Sequence, residues 1–194
     1  MRRRTFDTLV SAAGLVMAAV LLVAGGLLLW GHSFVDSQVS SQLSAQKIVF
    51  PAANSPAIQV PEYAAMRQYA GQTMTTGAQA EVYADHFIAN HLKEIGGGQT
   101  YAQLSAKALA QPKNTALAAQ VDAVFKGTTL RGMLLDAYAF WKMGQIALWA
   151  AIVSFIGAGL LLVLAGFGFI HARRVAPAAE VMPKLTGGDK VTVS

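Results

Sequence analysis

Hydrophobic and polar positions divide the chain into two long apolar runs with a mixed stretch between them. The first run, TLVSAAGLVMAAVLLVAGGLLLW from Thr8 to Trp30, has twenty-three residues and no charge. The second, QIALWAAIVSFIGAGLLLVLAGFGFI from Gln145 to Ile170, is as apolar and also uncharged. About 20 apolar residues in a helix cross the hydrocarbon core of a bilayer, so both runs are predicted to be transmembrane helices, at 8–30 and 145–170. The first is too long for the roughly 7–15 residues of a signal-peptide core, and no A-x-A site follows it, which favours an anchor over a cleaved leader.

Between the runs the pattern is helical throughout. Phe34, Val35, Val39, Leu43 and Ile48 recur mostly at intervals of four and extend the first helix outward until Pro51. Pro51, Pro56 and Pro61 predict a looped connector. Pro61 suits a first helical turn, and the helix is expected to carry past Gly71 and Gly77 to Ile95, where Gly96, Gly97 and Gly98 end it. Thr100 to Gln103 reads TYAQ, a capping box, and opens a helix that stops at Gln111-Pro112. Asn114 caps a short helix through Phe125 that Gly127 is expected to close, after which TTLRGMLLDAYAFWKMG runs into the second span. No stretch alternates with period two. The predicted fold is an all-α membrane protein, two transmembrane helices in a hairpin with a small helical domain between them.

Charge placement gives the topology. The chain carries 15 Lys and Arg against 10 Asp and Glu, a formal net charge of +5. The excess lies near the ends: MRRR precedes the first span and HARR follows the second, while residues 31–144 hold eight basic and seven acidic side chains. Basic residues collect on the cytoplasmic side of spans. Residues 1–7 and the tail 171–194 are therefore expected in the cytoplasm, the tail without fixed structure, and 31–144 outside, in a two-span protein of the plasma membrane. A near-neutral middle gives nucleic-acid binding no basic face. The absence of cysteine excludes disulfides, thiolate metal sites, iron–sulfur clusters and attached c-type haem.

Both spans lack the ionisable groups that pumps, proton relays and voltage sensors use. They offer packing surface instead. Gly14 and Ala18, Ala147 and Ala151, and Ser154 and Ala158 each stand four apart, the spacing that lets helix backbones approach closely in lipid. Trp30, Phe140, Trp141 and Trp149 flank the outer ends of the spans, as rings at a membrane interface do. These ten positions are the candidate interface residues, either for a partner or, for the aromatics, as an interfacial belt.

The densest chemistry is YADHFIANHL, residues 83–92, with Glu81 just upstream. On a regular helix His86 and His91, five apart, stand roughly 140° from each other, so one ion cannot take both; metal-binding pairs on helices are spaced as in H-E-x-x-H. His91 falls on the apolar face, where a carboxylate or carbonyl is its expected partner, and His86 faces solvent. Glu81, Asp85, His86 and His91 remain the alternative site, a ligand- or metal-binding module. GGGQT has no strand before it and no lysine after it, and reads as a helix end. Tyr63, Arg67 and Tyr69 are expected to pack within the domain. His32 and His171 sit at the two membrane surfaces. No catalytic constellation and no cofactor site is apparent.

HFIANHLKEIGGGQTYAQLSAKALAQ (86–111) and TLRGMLLDAYAFWKMGQIALWAA (129–151) resemble a family of small two-span membrane proteins of actinobacteria, over most of residues 8–170. Some such proteins are accessory subunits of the cytochrome bcc–aa3 respiratory supercomplex, which oxidises menaquinol and reduces oxygen. The resemblance implies a non-catalytic accessory role, with the supercomplex as partner and the lipid bilayer as surroundings.

Overall fold

A computed structural model of the chain describes residues 2–176. The tail beyond them, expected to lack fixed structure, lies outside the described residues. Regular structure among the described residues is helical: α1 (Arg3–Ala45), α2 (Gly77–Val82), α3 (Ala89–Ile95), α4 (Tyr101–Ala110) and α5 (Thr115–Arg174), with short 3-10 turns at Pro56–Ile58 and Pro61–Tyr69 and a π-turn at Tyr83–Ile88 joining α2 to α3. No strand occurs among these residues, although an isolated antiparallel bridge pairs Val49 with Thr73. α1 and α5 are each long and apolar enough to cross a membrane. They overrun the spans predicted from sequence, because their outer turns are polar enough to be solvated yet still pack as helix.

The described residues divide into two compact units, 2–29 with 149–176 and 30–148. In the first, parts of α1 and α5 pair antiparallel. A Cβ placed on Gly14 would lie 3.6 Å from that of Ala165, one on Gly157 would lie 3.2 Å from Leu21, and one on Gly25 would lie 2.9 Å from Phe155. Ser11 packs against Gly168. The buried positions on the two helices are Ser11, Ala18 and Gly25, and Ala151, Ala158, Ala165 and Ala172. Both sets repeat every seven residues, the period of helix pairs with about 3.5 residues per turn relative to each other. The buried positions of that seam are all small, and Leu21 and Phe155 fit against its glycines, so the backbones come close and dispersion contacts form along the length. The outward faces, including Leu9, Val16, Val23, Val153, Leu160 and Phe167, are large, apolar and exposed.

The second unit is a small helical domain built on Val39, Leu43, Phe50, Ile58, Met66, Met74, Ala80, Ala84, Ile88 and Leu134. Phe50 lies between Tyr69 and Tyr83, tilted to the first and edge-to-face with the second, with ring centroids 5.4 Å from each. Arg67 donates from Nε to the Ile58 carbonyl at 2.8 Å and from Nη2 to that of Gln59 at 2.7 Å, which ties the proline-rich connector to the 3-10 turn. Tyr63 is buried beside it. The two tyrosines thus pack within the domain as expected, whereas Arg67 stays exposed and ties the connector down from the surface.

Three expected boundaries differ. The first helix, expected to reach Pro51, ends at Ala45, and Lys47 two residues on takes φ +53. The helix predicted from Pro61 to Ile95 is broken: Gly71 takes φ +73, and a fresh helix starts at Thr76. Thr76 Oγ1 accepts from the Gln79 backbone amide, while the Gln79 side-chain Oε1 accepts from the Thr75 and Thr76 backbone amides at 2.7 and 3.0 Å. Gly127, by contrast, breaks nothing, since α5 passes straight through it. A Cβ there would stand 2.6 Å from Leu92 Cδ2. This glycine serves close approach, which sequence cannot distinguish from a helix end. The glycine end at 96–98, with Gly97 and Gly98 at positive φ, the Thr100 capping box and the Asn114 cap all form as expected.

Candidate functional site

The π-turn carries the residues singled out from sequence. An extra residue per turn rotates everything after it, so angles counted at 3.6 residues per turn do not carry across residues 83–88. That is why His91, expected on the apolar face, is exposed. Its Nδ1 lies 2.8 Å from the Phe87 carbonyl of its own helix and its ring stands over Phe87 at 4.4 Å. His86, half-buried, has Nδ1 3.3 Å from the Glu62 carbonyl.

The two carboxylates turn to α5. Asp85 accepts from Arg131 Nη2 at 2.6 Å, and Arg131 Nε donates to the Ala84 carbonyl at 3.3 Å. One helical repeat further on, the Tyr138 hydroxyl donates to the Glu81 carboxylate, which holds the tyrosine above its ordinary range, with burial and the nearby charges of Glu81 and Asp85 adding to the effect. Burial likewise raises Tyr83, and burial followed by the charges of Glu94 and Glu62 raises Tyr63. The Arg131–Asp85 pair is half exposed and on that account contributes about 0–1 kcal/mol. Its role is to brace the π-turn against α5. Glu81, Asp85, His86 and His91 are therefore engaged by separate partners, and no cluster of three or more potential metal ligands exists among the described residues.

The candidate interface residues fall into both units. In the first, Ala18, Ala151 and Ala158 are fully buried in the helix seam, Gly14 meets Ala165, and Ser154 bonds back to the Ala150 carbonyl at 2.8 Å. Trp149 is 67% exposed. In the second unit Trp30 is 67% exposed and stacks on Phe34 at 5.8 Å, Phe140 is 60% exposed, and Ala147 is half-buried. Trp141 departs from the expectation of an outward ring. It lies on the backbone of Gly77, where an added Cβ would be 2.7 Å from its Cγ. The reason is chemical: glycine at that helix start leaves a flat surface on which an indole can rest.

No family model, curated protein or solved structure matches the chain. The site must therefore be read from its own geometry. The second unit has a groove of about 700 Å³ between α1 and α5, floored by Val39, Leu43 and Leu134 and rimmed by Phe34, Met133 and Phe140, with Gln38, Gln42 and Gln46 along one wall. Gln38 and Gln42, four apart on one face of α1, and Gln46 in the turn that follows form a polar stripe. The first unit has a groove of about 420 Å³ along Phe6, Val10, Gly14, Leu164 and Phe167, closed at one end by Asp7 and His171, whose Oδ2 and Nδ1 are 3.0 Å apart. Sequence reading missed that pair, since 164 residues separate its members. It also missed the seven-residue repeat of alanines, which was legible in the sequence all along.

Proposed function

We propose that this chain is a non-catalytic accessory subunit of a larger membrane protein complex. Its two apolar helices form a membrane hairpin with both termini in the cytoplasm and residues 31–144 outside. The observation that carries the reading is how little of the apolar helix surface is used internally. In the most apolar stretch of each long helix 11% of positions are buried, whereas a helix in the core of a soluble protein is mostly buried. The small-residue seam accounts for that fraction, and the remaining surface is apolar side chain with lipid or partner helices as its natural surroundings. Outside the spans, the groove rimmed by Phe34, Met133 and Phe140 supplies an apolar surface with amide donors and acceptors for a partner's exterior parts.

The resemblance of residues 86–111 and 129–151 directs the proposal to the actinobacterial bcc–aa3 respiratory supercomplex as the partner. Purification of the tagged chain in a gentle detergent, followed by mass spectrometry, tests it. Cytochrome bcc–aa3 subunits are expected to co-purify in stable proportion. A chain that migrates alone in every detergent contradicts the accessory role, and stable capture of a different complex contradicts the named partner only.

A further inference from the structure

The groove in the first unit has two ends of different chemistry. Its floor is Ser11, Gly14, Ala165 and Gly168, and its walls are the exposed side chains of Phe6, Val10, Leu164 and Phe167. That surface suits a hydrocarbon chain. At about 420 Å³ it falls within the roughly 300–1,000 Å³ of ligand clefts. Asp7 and His171 form the polar mouth and pair with each other. One turn beyond them, on the same helix faces, come Arg3, four residues before Asp7, and Arg174, three residues after His171. Arg2, Arg4 and Arg173 adjoin these two in sequence, so this end of the helix pair carries five arginines, with Asp7 the one carboxylate there among the described residues. None of the five makes a salt bridge among the described residues. Guanidinium groups bind phosphate bidentately, and basic residues at the cytoplasmic end of paired helices attract anionic head groups.

We propose that this groove holds one anionic phospholipid, with an acyl chain along Phe6, Val10 and Phe167 and the phosphate between Arg3 and Arg174. The inference rests on the membrane reading above and extends it to a specific lipid class. The Asp7–His171 pair matters here because it engages the one carboxylate that faces the phosphate.

Native mass spectrometry of the full chain in detergent tests this with phosphatidylglycerol and phosphatidylcholine of identical acyl chains. Preferential retention of phosphatidylglycerol is expected. Arg3→Gln and Arg174→Gln should each weaken it by about fivefold, since a basic residue near an anionic surface contributes on the order of that factor. Val10→Trp keeps every arginine, fills the groove from its rim, and should also release the lipid. Equal retention of the two lipids, a preference unchanged in the double arginine variant, or full retention in Val10→Trp would overturn the proposal. So would displacement by glycerol phosphate alone, which would show head-group binding without the groove. Carbonate extraction of native membranes separates the two readings. Resistance to extraction without lipid preference sinks only this inference, while release into the supernatant sinks the membrane reading with it.

Discussion

Gly77→Ala isolates the contact that most specifically orders the external domain. The new Cβ would overlap the Trp141 Cβ and lie 2.7 Å from Cγ and 3.1 Å from Cδ2, where ordinary contact begins near 3.4 Å. The obstructing atoms are at the root of the indole, on a long helix, so the strain cannot be relieved by a terminal rotamer change. Separation by about 1 Å is needed, and overpacking of that kind costs about 1–3 kcal/mol. Against it stands the better helix propensity of alanine, worth roughly 0.5–1 kcal/mol. The net expectation is a loss of about 1–2 kcal/mol in local stability. Only a Trp141→Gly background removes every obstructing atom, the Trp141 Cβ included, and there the same Gly77→Ala change should become neutral or stabilising. Hydrogen exchange of residues 77–88 under increasing urea, on the full chain in detergent, reads the local opening free energy. A coupling between the two positions below about 0.5 kcal/mol would refute the reasoning, because two residues in such contact cannot act additively.

Other outcomes follow from the same geometry. Gly127→Ala meets only the flexible end of Leu92, so relief by a rotamer change and the gain in helix propensity should leave urea-dependent exchange of α5 within about 0.5 kcal/mol of the parent. Gln79→Ala strips the Thr75 and Thr76 amides of their acceptor in a buried turn and should cost about 1–3 kcal/mol, read as lost protection at the start of α2. For pH, the raised Tyr138 keeps its proton in the folded state at a pH where the unfolded tyrosine, with its ordinary pKa of 10.0, has lost it. Stability is therefore full below that value and falls as pH rises towards the folded pKa, and Tyr138→Phe should flatten the alkaline limb of a stability profile measured by circular dichroism. A limb unchanged in that variant would show that the Glu81 hydrogen bond does not couple to folding.

What the sequence made legible is what local rules govern. Two uncharged runs of span length, the Thr100 box, the Asn114 cap and the triple-glycine end each depend on residues within one or two turns, and each is found in the structure. The Thr76–Gln79 box obeys the same rule as Thr100–Gln103, but an assumed continuous helix hid it. Glycine was the main source of error. Gly71 bends the chain by its positive φ, Gly127 makes room for Leu92, and Gly77 makes room for Trp141, yet all three look alike in sequence. The π-turn left no local trace, and it moved His91 off the face assigned to it. Pairings such as Asp85 with Arg131 and Asp7 with His171 join residues far apart in the chain, so only the tertiary fold brings them together. The seven-residue spacing of Ala151, Ala158, Ala165 and Ala172 needed no structure, only a period longer than one turn.

The account turns on the two apolar helices lying antiparallel against each other through their small residues. Because the chain has no cysteine, this can be measured with a single introduced pair, Gly14→Cys with Ala165→Cys, oxidised in native membranes. A Cβ on Gly14 lies 3.6 Å from that of Ala165, inside the roughly 3.5–4.5 Å that a disulfide spans. Rapid intramolecular crosslinking is predicted, with none for a control pair at Gly26 and Gly159, which face open space. Absent crosslinking at 14 and 165, or equal crosslinking at both pairs, would contradict the helix seam on which the membrane reading and the lipid groove both stand.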